Sequence, residues 1–369
     1  MINTEKLLNF LIKKKIFFFT GVPDSILKNI INAIENNRKI KHLISANEGT
    51  ALATAIGYNL ATKMIPCVYM QNSGLGNSIN PLISISNKNI YSIPTILMIG
   101  WRGSPNEIDE PQHMVKGKIT PALLKLLGIK YLIFNKDKDF NKLSELIKFS
   151  KKNRQIVAFL VKNKSLTDIK KIKNPKNPKK LISRQKFISD LLKEIPLTAK
   201  IISTTGYTSR ELLQVRKLNN LKKGKDFYMV GGMGHASSVA LGMSMFKTKK
   251  QIICLDGDGS VLMHGGSLPI NGLAAGKNFK HIMLNNSSHE SVGGFKTIAN
   301  SIDFDKISKG SGYKNYFKIS NKDNCKKILK KFLSSNGPSF LEVLISKGAL
   351  KNLIRPSNLK KIKQKFIID

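Results

Sequence analysis

Short apolar runs alternate with amphipathic stretches of helical period along this chain, and the alternation happens twice. The runs lie near residues 16–19, 41–44, 66–70, 94–99, 130–134 and 155–161, then near 200–203, 226–230, 251–255, 281–285 and 339–345. Brief apolar runs separated by longer amphipathic segments read as buried strands joined by crossover helices. That order builds a mainly parallel sheet with helices on both faces. In the second half the helices are expected near 184–194, 207–215, 235–246, 265–276 and 322–334. Between the two series, residues 162–180 lose apolar periodicity and gather Lys, Asn, Pro175 and Pro178, which is linker chemistry. The expected fold class is α/β, with two doubly wound parallel-sheet domains at 1–161 and 181–369, a basic linker at 162–180 and no central third domain.

A length of 369 residues with 41% hydrophobic residues is enough for a core in each half. The formal net charge of +39 raises the question of nucleic acid. Only 7 of the 62 basic residues are Arg, the side chain best suited to bidentate phosphate and base contacts, and the Lys is spread evenly beside abundant Ile and Asn. We therefore expect no nucleic-acid partner, and a positive field that favours a small anionic ligand. Cys67, Cys254 and Cys325 are odd in number and far apart, so neither a disulfide framework nor a zinc site is expected. The apolar runs fall short of the roughly 20 residues a spanning helix needs, and Lys13, Lys14 and Lys15 interrupt the first of them. The expectation is a cytoplasmic protein without membrane anchor or export signal.

Ligands of open α/β sheets bind where the strands end, so the loops after each strand candidate carry the functional information. After the run 251–255 comes Asp256-Gly257-Asp258-Gly259-Ser260, and after 281–284 comes Asn285-Asn286. The 25 residues between Gly259 and Asn285 suffice for one crossover helix, so both loops can open at one sheet edge. A carboxylate among glycines beside an amide suits Mg²⁺, which takes oxygen ligands and shares them with phosphates. The glycines admit a diphosphate, and the following helix aims N–H groups at it. A competing pattern, Gly232-Met233-Gly234-His235-Ala236-Ser237 with Asp256 22 residues beyond Gly234, imitates a dinucleotide fingerprint, but its third glycine is Ser237.

Gly257-Asp258-Gly259, the spacer and Asn285-Asn286 resemble the cofactor signature of the thiamine-diphosphate-dependent decarboxylases. The resemblance implies thiamine diphosphate as cofactor and Mg²⁺ held by Asp258, the Asn286 side chain and the Ser288 carbonyl. It implies that both domains bind thiamine diphosphate, a pyrimidine-type domain first and a diphosphate-type domain second. It makes Gly231 the acceptor for the pyrimidine amino group and Met233 the wedge that bends the cofactor. Glu48, in Ala46-Asn47-Glu48-Gly49, matches the catalytic glutamate bonded to pyrimidine N1′, and Asn72, Ser73 and Gly74 match the loop packed near the pyrimidine. Thr205 and Gly206 open a helix where they can donate to the diphosphate. Gly usually follows Asn-Asn in that pattern; this chain has Ser287, which would cost about 1 kcal/mol if the backbone there needs positive φ.

A chain without a central domain resembles the phosphonopyruvate decarboxylases and their sulfopyruvate decarboxylase relatives. The resemblance rests on Thr20-Gly21-Val22-Pro23-Asp24-Ser25, Tyr69 to Asn77, Ile99-Gly100-Trp101-Arg102-Gly103, Asp109-Glu110-Pro111-Gln112-His113, Thr204-Thr205-Gly206 with Ser209-Arg210-Glu211-Leu212, and His289-Glu290-Ser291-Val292-Gly293-Gly294. It implies decarboxylation of 3-phosphonopyruvate to phosphonoacetaldehyde in phosphonate biosynthesis, with sulfopyruvate or another 3-substituted pyruvate as the alternative. It also implies a homodimer or higher homo-oligomer with sites at subunit interfaces. An anionic 2-oxo acid needs cations and hydroxyls at its far end, so Asp24, Ser25, Arg102 and His113 are the substrate-binding candidates. His113 and His289 are the candidate catalytic proton donors. Two simpler roles stand beside these: Arg102 as a loop staple to Asp109 or Glu110, and His289 as a prop for the metal loop.

Overall fold

The computed structural model describes residues 1–169, 181–219, 226–246 and 249–367, and the chain divides into two units, Met1–Lys173 and Asn174–Asp369. The first unit carries strands β1 Phe18–Gly21, β2 Lys41–Ile44, β3 Cys67–Gln71, β4 Ile96–Trp101, β5 Lys130–Phe134 and β6 Val157–Lys162. Its helices are α1 Thr4–Lys13, α2 Lys28–Glu35, α3 Glu48–Thr62, α4 Leu75–Pro81, α5 Pro111–Leu126 and α6 Asp139–Asn153. The strands form one parallel sheet in the order β2-β1-β3-β4-β6-β5. Buried parallel strands read as nearly continuous apolar runs, and β3, β4 and β6 do. Alternate residues enter opposite faces: Val68, Met70, Leu97, Ile99, Ala158 and Leu160 share one core cluster with Ala51, Leu52 and Ala55 of α3.

The second unit carries β7 Lys200–Ser203, β8 Asp226–Tyr228, β9 Ile252–Gly257, β10 Phe279–Asn285, a short antiparallel pair β11 Ser288–His289 and β12 Phe295–Lys296, then β13 Asn315–Ile319 and β14 Ser339–Leu344. Its helices are α7 Arg184–Glu194, α8 Tyr207–Leu218, α9 Ala236–Phe246, α10 Asp258–Met263, α11 Ser267–Ala274, α12 Phe304–Gly310, α13 Cys325–Ser334 and α14 Leu359–Ile367. The main sheet is again parallel, β8-β7-β9-β10-β14-β13. Numbering the six main strands of each unit from one, both sheets run 2-1-3-4-6-5. Ile201, Ile253, Leu255, Ile282 and Leu284 face one core cluster, while Ile202, Ile252, Cys254 and Met283 face the other.

Two expectations need correction. Residues 162–169 are not spacer: Ile2 N–H donates to the Ser165 carbonyl (2.7 Å), Thr167 N–H returns to Ile2 (2.9 Å), and the Asn29 amide donates to Asp168 (3.1 Å). The rest of the expected linker, 170–180, lies outside the described residues. β13 was not anticipated because it is a half-polar edge strand in which only Ile319 is fully buried. Among the described residues no helix is long and apolar enough to cross a membrane.

Candidate active site

In a sheet of order 2-1-3-4-6-5 the chain reverses direction across the sheet between strands 1 and 3, and the crevice beyond their carboxyl ends is where ligands bind. The candidate site residues lie at the end of strand 1, 2, 3 or 4 of their own unit or in the segment that follows it. In the first unit, Asn47 caps α3 by accepting from Thr50 N–H (2.9 Å), which sets Glu48 as the first helical residue. Glu48 is buried, its Oε2 accepts from the Asn77 amide (2.7 Å), and a side chain at Gly74 would overlap its carboxylate. That close approach is the physical reason for glycine at 74. Burial lowers the pKa of Lys116, against which the charge on Glu48 works.

Both amide atoms of Asn72 are engaged. Its Nδ2 donates to the Arg102 carbonyl and to Thr120 Oγ1 (both 3.0 Å) and its Oδ1 accepts from Arg102 N–H (3.1 Å), so it ties the loops after β3 and β4. Ser73 Oγ donates to Gln71 (2.8 Å), whose Nε2 donates to Asp24 Oδ1 (3.0 Å). Asp24 is fully buried in the space a side chain at Gly100 would take, and its Oδ2 accepts from Ile26 N–H (2.9 Å) and Leu27 N–H (3.2 Å). Burial raises its pKa, against these hydrogen bonds and the Arg102 charge.

Arg102, Ser25 and His113 meet around a residue to which sequence reasoning gave only a staple's role. Asp109 takes the Arg102 guanidinium in a fork, Nε at 2.6 Å and Nη2 on the other oxygen, and accepts from Gly103 N–H (3.1 Å) and His113 Nδ1 (2.9 Å). Arg102 Nη1 reaches Ser25 Oγ (3.0 Å). Burial alone would raise the Asp109 pKa, but the hydrogen bonds and charges of Arg102 and His113 bring it to about 2. The same fork raises the pKa of Arg102. Burial lowers that of His113 despite Asp109, so near neutral pH its Nδ1–H is engaged by the carboxylate and Nε2 keeps its lone pair. The staple role for Arg102 is thus present, with Asp109 as partner.

In the second unit three loops converge on Ser260. Its Oγ pairs with Thr204 Oγ1 (2.9 Å) and accepts from Gly234 N–H (3.0 Å), joining the segments after β7, β8 and β9. Gly206, Gly232 and Gly234 have φ of +93°, +64° and +88°, the region that glycine occupies without penalty. Thr205 is half-buried ahead of α8, and Gly231 and Met233 lie half-buried after β8. His289 packs on Gly259, where any side chain would meet its ring, and burial lowers its pKa to about 4.

Asp258 is 3% exposed, accepts from the Thr297 hydroxyl and receives backbone N–H groups of Asp258, Gly259 and Asn286. Burial nonetheless lifts its pKa to about 6, and among the described residues no cationic side chain pairs with it. A buried carboxylate that lacks a cation, beside the Asn286 amide and the orphaned buried Ser288 Oγ, offers oxygen donors that could hold a hard divalent cation. Ser287 has φ +51°, the positive value that the Gly-for-Ser comparison anticipates, and its Oγ reaches Asn285 Oδ1 (3.1 Å).

Sequence reasoning quoted Glu290 and Glu211 without giving them a role and passed over Arg184. Arg184, 5% exposed, donates to Glu290 Oε2 and lies 3.6 Å from Glu211 Oε1. The signal available was an Arg in an Arg-poor chain, placed at the first turn of a helix where a cation is unfavourable.

Two family models match, described as the N-terminal and C-terminal TPP binding domains of thiamine pyrophosphate enzymes, over residues 3–121 and 204–343. Phosphonopyruvate decarboxylase of Streptomyces viridochromogenes is 33% identical over 352 residues, covering 91% of this chain and 86% of that protein. Sulfopyruvate decarboxylase of Methanosarcina acetivorans is 27% identical over 360 residues, covering 93% of this chain and 91% of its own. The sulfopyruvate decarboxylase subunit beta of Methanocaldococcus jannaschii is 33% identical over 149 residues, covering 37% of this chain and 76% of the subunit. The chain belongs to the thiamine-pyrophosphate-dependent decarboxylases, carbon–carbon lyases, in the family that holds the phosphonopyruvate and sulfopyruvate decarboxylases.

Proposed function

We propose that this chain decarboxylates 3-phosphonopyruvate to phosphonoacetaldehyde and CO₂, with thiamine diphosphate and Mg²⁺, as a cytoplasmic step of phosphonate biosynthesis. In this reading it works as a homodimer or higher homo-oligomer with active sites at subunit interfaces. The observation that carries the metal and cofactor assignment is Asp258, buried among neutral donors with no cation beside it among the described residues. For the substrate, support comes from the whole-chain identity to phosphonopyruvate decarboxylases, 33% against 27% for the sulfopyruvate enzyme.

Thiamine diphosphate, when bound, would supply nucleophilic and electron-sink chemistry for decarboxylation of a 2-oxo acid. Asp258, Asn286 and the Ser288 carbonyl would hold Mg²⁺. Thr205, Gly206 and the Gly257 to Ser260 turn would receive the diphosphate. Glu48, fixed by Asn77 and by contact with Gly74, would hold the proton at pyrimidine N1′, with Asn72, Ser73 and Gly74 shaping that pocket. Gly231 would accept from the pyrimidine amino group, and Met233 would support the bend. At the far end, Arg102 Nη1, Ser25 Oγ and His113 Nε2 would bind the phosphonate, with Asp24 holding the loop rather than touching substrate. His113 in its neutral form suits accepting from a singly protonated phosphonate, which leaves His289 as the candidate proton donor. Burial lowers the His289 pKa to about 4, so its role as donor requires that the bound anionic groups raise it toward neutral pH.

Sulfopyruvate is the second reading, favoured by the relative that covers nearly the whole chain. The test is turnover of phosphonopyruvate, sulfopyruvate and pyruvate by purified protein, each with and without thiamine diphosphate and Mg²⁺. We expect cofactor-dependent CO₂ release with kcat/KM at least about tenfold higher for phosphonopyruvate, a difference of about 1.4 kcal/mol. Preference for sulfopyruvate reverses the substrate assignment, and release that needs no cofactor overturns the whole reading.

A further inference from the structure

The Asn286 side chain is oriented by a buried ion-pair chain outside the metal loop's own ligands. Asn286 Nδ2 donates to Glu290 Oε2 (3.0 Å), and the same oxygen takes the Arg184 guanidinium. The other Glu290 oxygen accepts from Gly348 N–H, and Arg184 also faces Glu211 (3.6 Å), which accepts from Leu350 N–H (3.0 Å). Arg184 and Glu211 are 5% and 1% exposed. An ionised carboxylate can only accept, so the Asn286 amide must turn its NH₂ toward Glu290 and its oxygen to the opposite side. There Oδ1 accepts a single N–H, that of Ser288 (3.1 Å), which leaves a lone pair for a cation. Arg184 in turn keeps Glu290 from rotating away, and it does so from the first turn of α7.

We propose that Glu290, clamped by Arg184, is a positioning residue that sets which face of the Asn286 amide meets the metal. The proposal rests on Asp258 and Asn286 being the metal ligands. Partners of ligating groups of this kind are typically worth 10–100-fold in metal affinity. Glu290→Gln is the discriminating variant. It keeps the volume but presents an NH₂ as well as an oxygen, so the Asn286 amide can flip and point nitrogen at the cation.

The experiment uses the purified full-length chain and measures Mn²⁺ binding by the loss of the free-ion paramagnetic signal, with and without thiamine diphosphate. Glu290→Gln, Arg184→Lys and Asp258→Asn are compared with the native chain, and circular dichroism checks that each is folded. We expect Glu290→Gln to raise the Mn²⁺ Kd at least about tenfold and Arg184→Lys about threefold to tenfold. At saturating metal, kcat and the substrate KM of Glu290→Gln should stay within about threefold of native. If Asp258→Asn loses metal while Glu290→Gln binds within twofold of native, Glu290 is merely structural and the proposal fails. If Asp258→Asn binds as the native chain does, the ligand assignment itself is wrong and the proposal falls with it. Should Glu290→Gln not fold, Arg184→Lys with an unchanged Kd is the overturning result.

Discussion

The two units share one strand order and put candidate site residues at matching places, yet they finish those places in different ways. After strand 1 stand Asp24 and Ser25 in one unit and Thr205 and Gly206 in the other. After strand 2 stand Glu48 against Gly231 and Met233, after strand 3 Asn72 to Gly74 against Gly257 to Ser260, and after strand 4 Arg102 against Asn286 and Ser288. In the first unit most polar groups are answered internally: Arg102 forks on Asp109, Asp24 accepts from three neutral N–H donors although burial raises its pKa against the nearby Arg102 charge, and each amide atom of Asn72 is engaged. In the second, Asp258 is buried with a raised pKa and no cation among the described residues. In the proposed reading, one architecture would serve as a prebuilt wall in the first half and as a receptacle for a cation in the second. Under the proposed function, the difference implies that the second unit would capture the metal and diphosphate while the first would contribute orientation it has already built.

The largest break in that comparison should come from Asp258→Ala. Without the Asp258 carboxylate the metal loop loses its one charged ligand in this reading, so calorimetric titration with Mg²⁺ and thiamine diphosphate should show no binding and turnover should vanish. The ligand-free protein should melt within a few degrees of native, because an ionised group whose pKa is raised to about 6 by burial is not holding the fold together at neutral pH. A collapse of the ligand-free fold would mean the second half is as self-satisfied as the first. Glu48→Gln asks the converse. It should lower kcat by about 10²–10⁴ and leave the calorimetric Kd for thiamine diphosphate within about threefold. A large loss of affinity would put capture energy in the first unit.

Asp109→Asn opens the closed charge set of the first unit. Losing the fork on Arg102 and the partner of His113 Nδ1 should raise the substrate KM about 10–100-fold, roughly 1.4–2.7 kcal/mol, with cofactor affinity unchanged. The acid limb of stability gives a second check. Because Arg102 and His113 hold the folded pKa near 2, the pair contributes fully above the unfolded value of about 3.9 and is lost as pH falls through about 2. Unfolding monitored from pH 5 to pH 2 should therefore fall more steeply in the native chain than in Asp109→Asn. Equal slopes would show that the fork does no structural work.

The alternation of apolar runs placed eleven of the twelve main-sheet strands; β13, Asn315–Ile319 with Asn and Lys among five residues and only Ile319 fully buried, has too short an apolar run to stand out. In the loops, the pattern marked Gly257, Asp258 and Asn286, and the structure brings Asp258 and the Asn286 backbone together at the ends of β9 and β10. What stayed hidden was pairing across long separations. Arg184 and Glu290 are 106 residues apart, and nothing in the local pattern of either names the other. The lysine excess concealed a similar case: Lys280 is buried and donates to the Phe332 carbonyl (2.8 Å) at the end of α13, where burial lowers its pKa to about 8. Composition treats it like any surface lysine.

The smallest effect, and the finest test of how the second unit tolerates its open loop, lies at Ser287. A non-glycine residue at φ +51° costs about 1–2 kcal/mol. The Ser287 Oγ contact to Asn285 Oδ1 (3.1 Å) returns about 0.5–1.5 kcal/mol. Ser287→Gly removes the strain and the hydrogen bond together, and adds freedom to the unfolded chain worth about 0.4–1 kcal/mol. The three contributions nearly cancel, so chemical denaturation should place Ser287→Gly within about 0.5 kcal/mol of native. Ser287→Ala keeps the strain and loses only the hydrogen bond, and should be less stable than native by about 0.5–1.5 kcal/mol. The order Ser287→Gly above Ser287→Ala is what a strained but compensated loop requires. The reverse order would mean that the backbone at 287 is unstrained and that this chain's departure from glycine carries no cost.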